Sequence, residues 1–196
     1  MFTAALDTSV LWPSLQRDFL LSMAVELIYR PVWSQAILDE LRFHEAYKLE
    51  HRHEVPAQDA AARAARLVGQ MSAAFADALV EGWEPLDGTY GLPDPDDEHV
   101  VAAAHLAGAG VIVTSNLKHF PQRLLPGGMT AQSPQDFARD TVNINPQRAL
   151  AAIDAIAARS GTQGPVRNRA EILETLAERY GMHEAVAVLA IEAELD

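Results

Sequence analysis

Asp94-Pro95-Asp96-Asp97-Glu98-His99-Val100-Val101-Ala102-Ala103-Ala104, followed past Gly108-Ala109-Gly110 by Val111-Ile112-Val113-Thr114-Ser115-Asn116, is the stretch whose reading decides the fold. Four acids crowd into its first six positions, an apolar helical run follows over about 97–107, the glycines stop it, and a buried strand closes the segment. Carboxylates gathered at one point raise each other's pKa unless positive charge sits among them. A divalent metal is one candidate for that charge. The other reading is that Asp96 or Asp97 caps the helix while the remaining acids complement its dipole.

Working outward, Phe2-Thr3-Ala4-Ala5-Leu6 is a short apolar run that stops abruptly at Asp7-Thr8-Ser9, a buried strand ending at Asp7. A carboxylate at the C-terminal end of the first strand of an α/β sheet lies where such folds place their ligands, although an Asp here can also cap the next helix. Asp7, the acids that start the later helix and Asn116 at the end of strand 111–114 therefore share one kind of position, the crevice of a parallel sheet.

Between these points Pro13 suits the first turn of a helix carrying Phe19, Leu20, Met23, Ala24 and Leu27. Leu27-Ile28-Tyr29-Arg30-Pro31-Val32-Trp33 reads as a partly exposed strand. Ser34 is placed to cap a helix with Ile37, Leu38, Leu41 and Tyr47 on its apolar face. Glu40 breaks that pattern, because its neighbours three and four positions away are Ala36, Ile37, Phe43 and His44. An acid beside an apolar stripe is either paired, metal-bound or reaching water from the edge. Residues 42–66 carry Lys48, Arg52, Arg63, His44, His51 and His53, which fits a solvated face or an arm touching phosphates; His51-x-His53 alone makes no metal site. Pro56 opens an alanine-rich helix whose apolar stripe is expected to run from Leu67 and Val68 to Met71, Ala74, Phe75, Ala78 and Leu79 as core.

Composition narrows the chemistry. With no cysteine among 196 residues, disulfides, thiolate metal sites and cysteine nucleophiles are excluded, so a metal would take oxygen or imidazole. The formal charge of −12, from 27 acids against 15 Lys and Arg, argues against broad attraction to nucleic acid or anionic lipid. A clustered acidic metal site nevertheless adds to that negative count. No apolar run approaches the roughly 20 residues of a membrane span, and the N-terminus lacks a signal-peptide pattern, so the expectation is a cytoplasmic protein with no membrane partner.

After Pro126-Gly127-Gly128, Ser133-Pro134-Gln135-Asp136-Phe137 is a capped helix start, and past Asn145-Pro146 only helical stripes remain. Ala149-Leu150-Ile153-Ile156-Ala157, Ile172-Leu173-Leu176-Tyr180 and Ala185-Val186-Leu189-Ala190-Ala193 predict three helices, the second opened by Asn168 and Glu171 as a near capping box. A flexible link, Ser160-Gly161-Thr162-Gln163-Gly164-Pro165, separates the first two. The predicted organisation is an α/β domain over 1–139 and a small all-α extension over 140–196.

Leu6-Asp7-Thr8-Ser9-Val10-Leu11, Leu38-Asp39-Glu40-Leu41, the 94–100 acid cluster and Val113-Thr114-Ser115-Asn116-Leu117-Lys118-His119-Phe120-Pro121 resemble, in order over about residues 1–137, the PIN-domain family. Within it they resemble the branch containing VapC-type ribonuclease toxins of toxin–antitoxin pairs. The resemblance implies a three-layer α/β/α sandwich with a central parallel sheet, and an acidic pocket that binds Mg²⁺ or Mn²⁺ and cleaves RNA. It assigns Asp7, Glu40 and Asp97 as metal-binding carboxylates and Asp94 as a further acid, with Asn116 completing the catalytic set where many members carry an Asp. In the cluster, Asp96 then reads as a cap and Glu98 as a solvated first-turn acid. His119 replaces an acid often found before the Phe and is expected to matter less.

The implied function is a Mg²⁺- or Mn²⁺-dependent endoribonuclease, the toxin of a type II pair. Its partners would be RNA, a cognate antitoxin that sets a basic residue near the acids, and a second copy as a homodimer. The alternative is a catalytically silent PIN-like module that binds RNA or a partner protein. A phosphatase built on Asp-x-Asp fails because position 9 is Ser.

Overall fold

The computed structural model describes residues 1–162 and 165–195. One sheet holds β1 (Phe2–Leu6), β2 (Tyr29–Ser34), β3 (Leu79–Val80), β4 (Val111–Val113) and β5 (Thr130–Gln132) in the order β3-β2-β1-β4-β5. β1 runs parallel to β4, and β2 to β3. The helices are α1 (Thr8–Leu11), α2 (Ser14–Val25), α3 (Gln35–His53), α4 (Ala57–Ala74), α5 (Glu98–Leu106), α6 (Pro134–Ile144), α7 (Pro146–Arg159), α8 (Arg169–Glu178) and α9 (His183–Leu195). This is the α/β/α class implied by the sequence, with helices alone after β5. No described helix is long and apolar enough to cross a membrane.

Contacts group the chain into two compact units, one of residues 3–12 and 31–131, the other of residues 1–2, 13–30 and 132–196. Because α6 runs through position 139 without a break, the unit that holds the C-terminal helices begins at 132 and also takes in α2.

In the first unit, β1 and β4 are apolar in near-continuous runs, as buried parallel strands require. Ala4, Ala5, Leu6, Ile112 and Val113 are fully buried. Their register pairs Ala4 with Val111, Ala5 with Ile112 and Leu6 with Val113, and the Asp7 amide then donates to the Val113 carbonyl at 3.1 Å. The next residue of each strand, Asp7 and Thr114, therefore emerges beside the other. Ser34 ends β2 and starts α3, its hydroxyl accepting the Ile37 amide at 3.3 Å. α5 stops as the glycines predict: Gly108 adopts φ +64°, and the amides of Gly108 and Ala109 donate to the carbonyls of His105 and Ala104 at 3.1 and 2.9 Å. Two of the orphan carbonyls of the last turn, those of Ala104 and His105, are thereby satisfied.

The second unit is held by helix stripes in the predicted places. Ile153, Ile172, Leu176 and Leu189 are fully buried, and Asn168 and Glu171 form both hydrogen bonds of a capping box. Arg169 makes two 2.7 Å bonds to Asp154, tying α8 to α7. Tyr29 and Phe137 meet edge to face at 4.9 Å, with Phe2 stacked on Tyr29 at 5.8 Å.

Three expectations are corrected. Leu27 is not strand: it is exposed at φ +58° in the turn that closes α2, while Val32, Trp33 and Ser34 of β2 are buried rather than partly exposed. Tyr47 lies off the apolar face of α3, exposed and stacked on His51 with ring centroids 4.0 Å apart. The α4 stripe ends early: α4 stops at Ala74, its buried positions are Ala60, Ala64 and Met71, and Leu79 begins β3. A helical period cannot distinguish a helix from a helix that breaks into a two-residue strand. Of the predicted link, Gln163 and Gly164 lie outside the described residues.

Ser34→Ala removes a buried N-cap and leaves the Ile37 amide without its acceptor. A loss of about 0.5–2 kcal/mol is expected, read as a lower urea midpoint with an unchanged slope.

Candidate active site

Asp7 follows β1 and its backbone carbonyl starts α1, yet its side chain does not cap that helix. Its Oδ2 instead accepts the hydroxyls of Ser9 at 2.6 Å and Thr114 at 2.7 Å. The same two hydroxyls accept backbone amides, Ser9 Oγ from Ser115 at 3.0 Å and Thr114 Oγ1 from Asn116 at 3.0 Å. The parallel register of β1 and β4 thus becomes a lattice that fixes Asp7 and the turn carrying Asn116.

Asp7, Glu40, Asp97 and Asn116 line one cavity of about 300 Å³, which Trp12 and His44 also line. Asp7 is only 4% exposed. Burial pushes the Asp97 carboxyl above its ordinary pKa, and the charges of Asp7 and Asp94 push it the same way, against a hydrogen bond from His119. The His119 Nδ1 lies 2.6 Å from Asp97 Oδ2 and 3.4 Å from Asp94 Oδ2. Asp94, Asp97 and His119 each offer a ligand atom within 4.8 Å of the others, a group able to hold a metal ion.

Glu40 occupies the other side of Asp7 with both oxygens engaged. Oε1 stands 3.0 Å from His99 Nε2, and Oε2 accepts the Thr8 hydroxyl at 2.7 Å. Burial alone would raise the Glu40 pKa, but the bonds from His99 and Thr8 outweigh it and hold the group below its usual range. Burial likewise works against a charged His99, and the hydrogen bond and charge of Glu40 overcome it and raise the imidazole. The opposite shifts describe one ion pair. Among the described residues, His99 Nδ1 is buried without a hydrogen-bond partner.

Within the acid cluster two roles differ from those the sequence suggests. Neither Asp96 nor Asp97 caps α5 with its side chain; Asp94 caps the short 3-10 turn Pro95–Asp97 before it, its Oδ1 accepting the Asp96 amide at 3.2 Å, and Asp96 is exposed. Glu98 is not solvated: it is 3% exposed, and its two oxygens accept the amides of Tyr90 and Leu92, each at 2.8 Å. It anchors the loop that leads into the cluster. His99, His119, Thr8, Ser9 and Thr114 are the site residues that sequence reasoning passed over. The available signal was position, since each adjoins a residue already singled out or follows Asn116 within one turn.

The sequence profile described as "PIN domain" matches residues 3–118, more than half of the chain. The chain belongs to the PIN domain family. All the cavity residues named above fall within the match, and His119 is one position beyond it. Among curated proteins, this PIN domain is similar to a candidate ribonuclease named VapC50 from Mycobacterium tuberculosis (strain ATCC 25618 / H37Rv), with 45% identity over 58 residues. That segment is 29% of this chain and spans about a third, 34%, of the relative's length. No solved structure matches.

For Glu98, burial favours protonation, but the amides of Tyr90, Leu92 and Gly91 outweigh it and lower the pKa from its ordinary value of 4.5. A depressed carboxylate contributes stability that is complete above its unfolded pKa and lost as pH falls through the folded one. Glu98→Gln, which turns a donor toward one of these amides, should cost about 1–3 kcal/mol at pH 7. In urea melts the gap to wild type should narrow once pH falls below about 4.5.

Proposed function

We propose that this chain is a divalent-metal-dependent endoribonuclease acting on RNA phosphodiesters at the Asp7–Asp97 cavity, the toxin of a type II toxin–antitoxin pair working in the cytoplasm. The observation that carries the reading is the convergence of Asp7 and Asp97 on one cavity, where burial and then the charge of Asp7 raise the Asp97 carboxyl. Such a pair favours a cation between or beside its members. The similarity to a protein named as a candidate ribonuclease supports RNA as the substrate class.

The donor set fits Mg²⁺ or Mn²⁺: carboxylates predominate, one imidazole adjoins them, and no thiolate is present. Asp7 and Asp97 would hold the ion directly. Glu40, already bonded to His99 and Thr8, would act through water, and Asp94 would support Asp97 from the His119 side. When bound, the ion neutralises charge on the phosphate and makes a water more acidic. Ser9 and Thr114 fix the Asp7 carboxylate, so its geometry is set before substrate arrives. Asn116 offers the cavity a neutral amide, able to donate to a phosphate oxygen without adding repulsion. Residues 1–139 carry this activity, and 140–196 form a helical extension to it. The partners are RNA, a small cognate antitoxin and, as an assembly state, a second copy.

A second reading has one observation in its favour. Glu40 is already neutralised by His99, and position 116 is Asn, so the site holds less unpaired acid than a tight two-metal centre needs. On that reading the chain is a silent module that binds RNA or protein.

Incubating total cellular RNA with the purified chain, with and without Mn²⁺, separates the two. Metal-dependent cleavage is expected, falling at least about 10²-fold in Asp7→Asn. Full cleavage by Asp7→Asn would sink the site assignment, and absence of both Mn²⁺ binding and cleavage would favour the silent module. His119→Ala should weaken Mn²⁺ binding about 10–100-fold, read by electron paramagnetic resonance titration. Co-purification from the native host should recover a small protein encoded beside this one.

A further inference from the structure

α3 sets His44, Lys48 and Arg52 four residues apart, so the three form one stripe along the helix. That stripe meets Trp12. The indole Nε1 donates to the His44 carbonyl at 3.3 Å, Lys48 Nζ lies 5.7 Å from the ring centroid, and Arg52 Cζ lies 5.3 Å from it. Trp12 and His44 also line the cavity that holds Asp7 and Asp97. Two cations are thus held on an aromatic ring that forms part of the wall of the acidic site.

Resting on the nuclease reading, we propose that Trp12, Lys48 and Arg52 form a phosphate-binding shelf for single-stranded RNA, taking a phosphate that flanks the one at the acidic cavity. The two cations have different parts. Lys48 is ion-paired with the buried Glu45, which neutralises much of its charge. Arg52 is exposed and, among the described residues, has the Trp12 ring as its contact and no carboxylate within ion-pair distance. A guanidinium seated on an aromatic face uses that face for cation–π attraction and keeps its N–H fork free in its own plane. That fork matches two phosphate oxygens. Trp12 is half-buried and anchored by its Nε1, so it holds the cation at little entropic cost. A polyanion approaching crowded carboxylates on a chain of net charge −12 is repelled unless positive charge stands beside the site. Arg52 supplies it.

The test is fluorescence anisotropy of a labelled, unstructured oligoribonucleotide in Mn²⁺, across a salt series, with every variant built on Asp7→Asn so that the RNA survives. Arg52→Ala is expected to weaken binding about 5–20-fold at low salt and to reduce the salt slope by about 0.7. Trp12→Ala should do the same through misplaced cations, whereas Trp12→Phe, which keeps a ring, should largely restore the slope. Mn²⁺ affinity and the thermal midpoint should be unchanged in Arg52→Ala, which distinguishes a phosphate contact from a structural role. Equal affinity and slope in Arg52→Ala and its parent would overturn the shelf while leaving cleavage by the wild type, and hence the nuclease reading, intact. A parent that binds no RNA, together with a wild type that cleaves none, would remove both. Loss of a co-purifying protein from Arg52→Ala with RNA binding unaltered would overturn the RNA assignment and make the stripe a protein interface.

Discussion

The site rests on the parallel register of β1 and β4. Because Leu6 pairs with Val113, Asp7 and Thr114 leave the sheet side by side, and a 2.7 Å hydrogen bond joins residues 107 positions apart in the chain. A slip of one residue would exchange every inward and outward side chain of β1. Asp7 would then lose Thr114, and the Ser9 hydroxyl would no longer receive the Ser115 amide. Burial of Ala4, Ala5 and Leu6 therefore does more than stabilise the core: it determines which carboxylate faces the cavity.

Around that fixed carboxylate the protein sets two imidazoles, and their effects differ. Burial raises the Asp97 carboxyl, and although a hydrogen bond to His119 works against that and against the charges of Asp7 and Asp94, the group stays raised. His99 and Glu40 form an ion pair, the acid lowered and the imidazole raised by their hydrogen bond. Asp97 thus retains a demand for positive charge that Glu40 has already met. The buried, unpartnered Nδ1 of His99 is tolerated at a cost of about 1–3 kcal/mol. The gain against that cost is the orientation of Glu40 toward the cavity.

Asp7 and Asn116 were legible because each ends an apolar run, and a strand end in an α/β chain has a known geometric meaning. Glu40 was legible for the opposite reason, as an acid out of place on an apolar stripe. Glu98 was not, because its partners are backbone amides of Tyr90 and Leu92, and side-chain patterns carry no record of backbone direction in a loop. His119 was undervalued because a comparison of residue types treats His for an acid as a loss. In space the imidazole sits 2.6 Å from Asp97 and 3.4 Å from Asp94, within reach of both acids. The α4 stripe misled because alanines satisfy a helical period without showing which turns are covered: Ala64 is buried, whereas Ala74 is exposed.

Charge was the most ambiguous property of the sequence, and the structure shows why a sum is the wrong quantity. The net −12 counts Asp7, Asp94, Asp97 and Glu40 as repulsive to a polyanion, but one is paired with His99 and two adjoin His119. A divalent ion at the remaining acids would reverse the local sign. Lys48 and Arg52 contribute only two of 15 basic residues, yet both lie on the ring of Trp12, which lines the same cavity. Screening confines such interactions to about 10 Å at 0.1 M salt. Charges at and beside the cavity are therefore the ones that act on a phosphate bound there, and the net charge of the whole chain does not measure them.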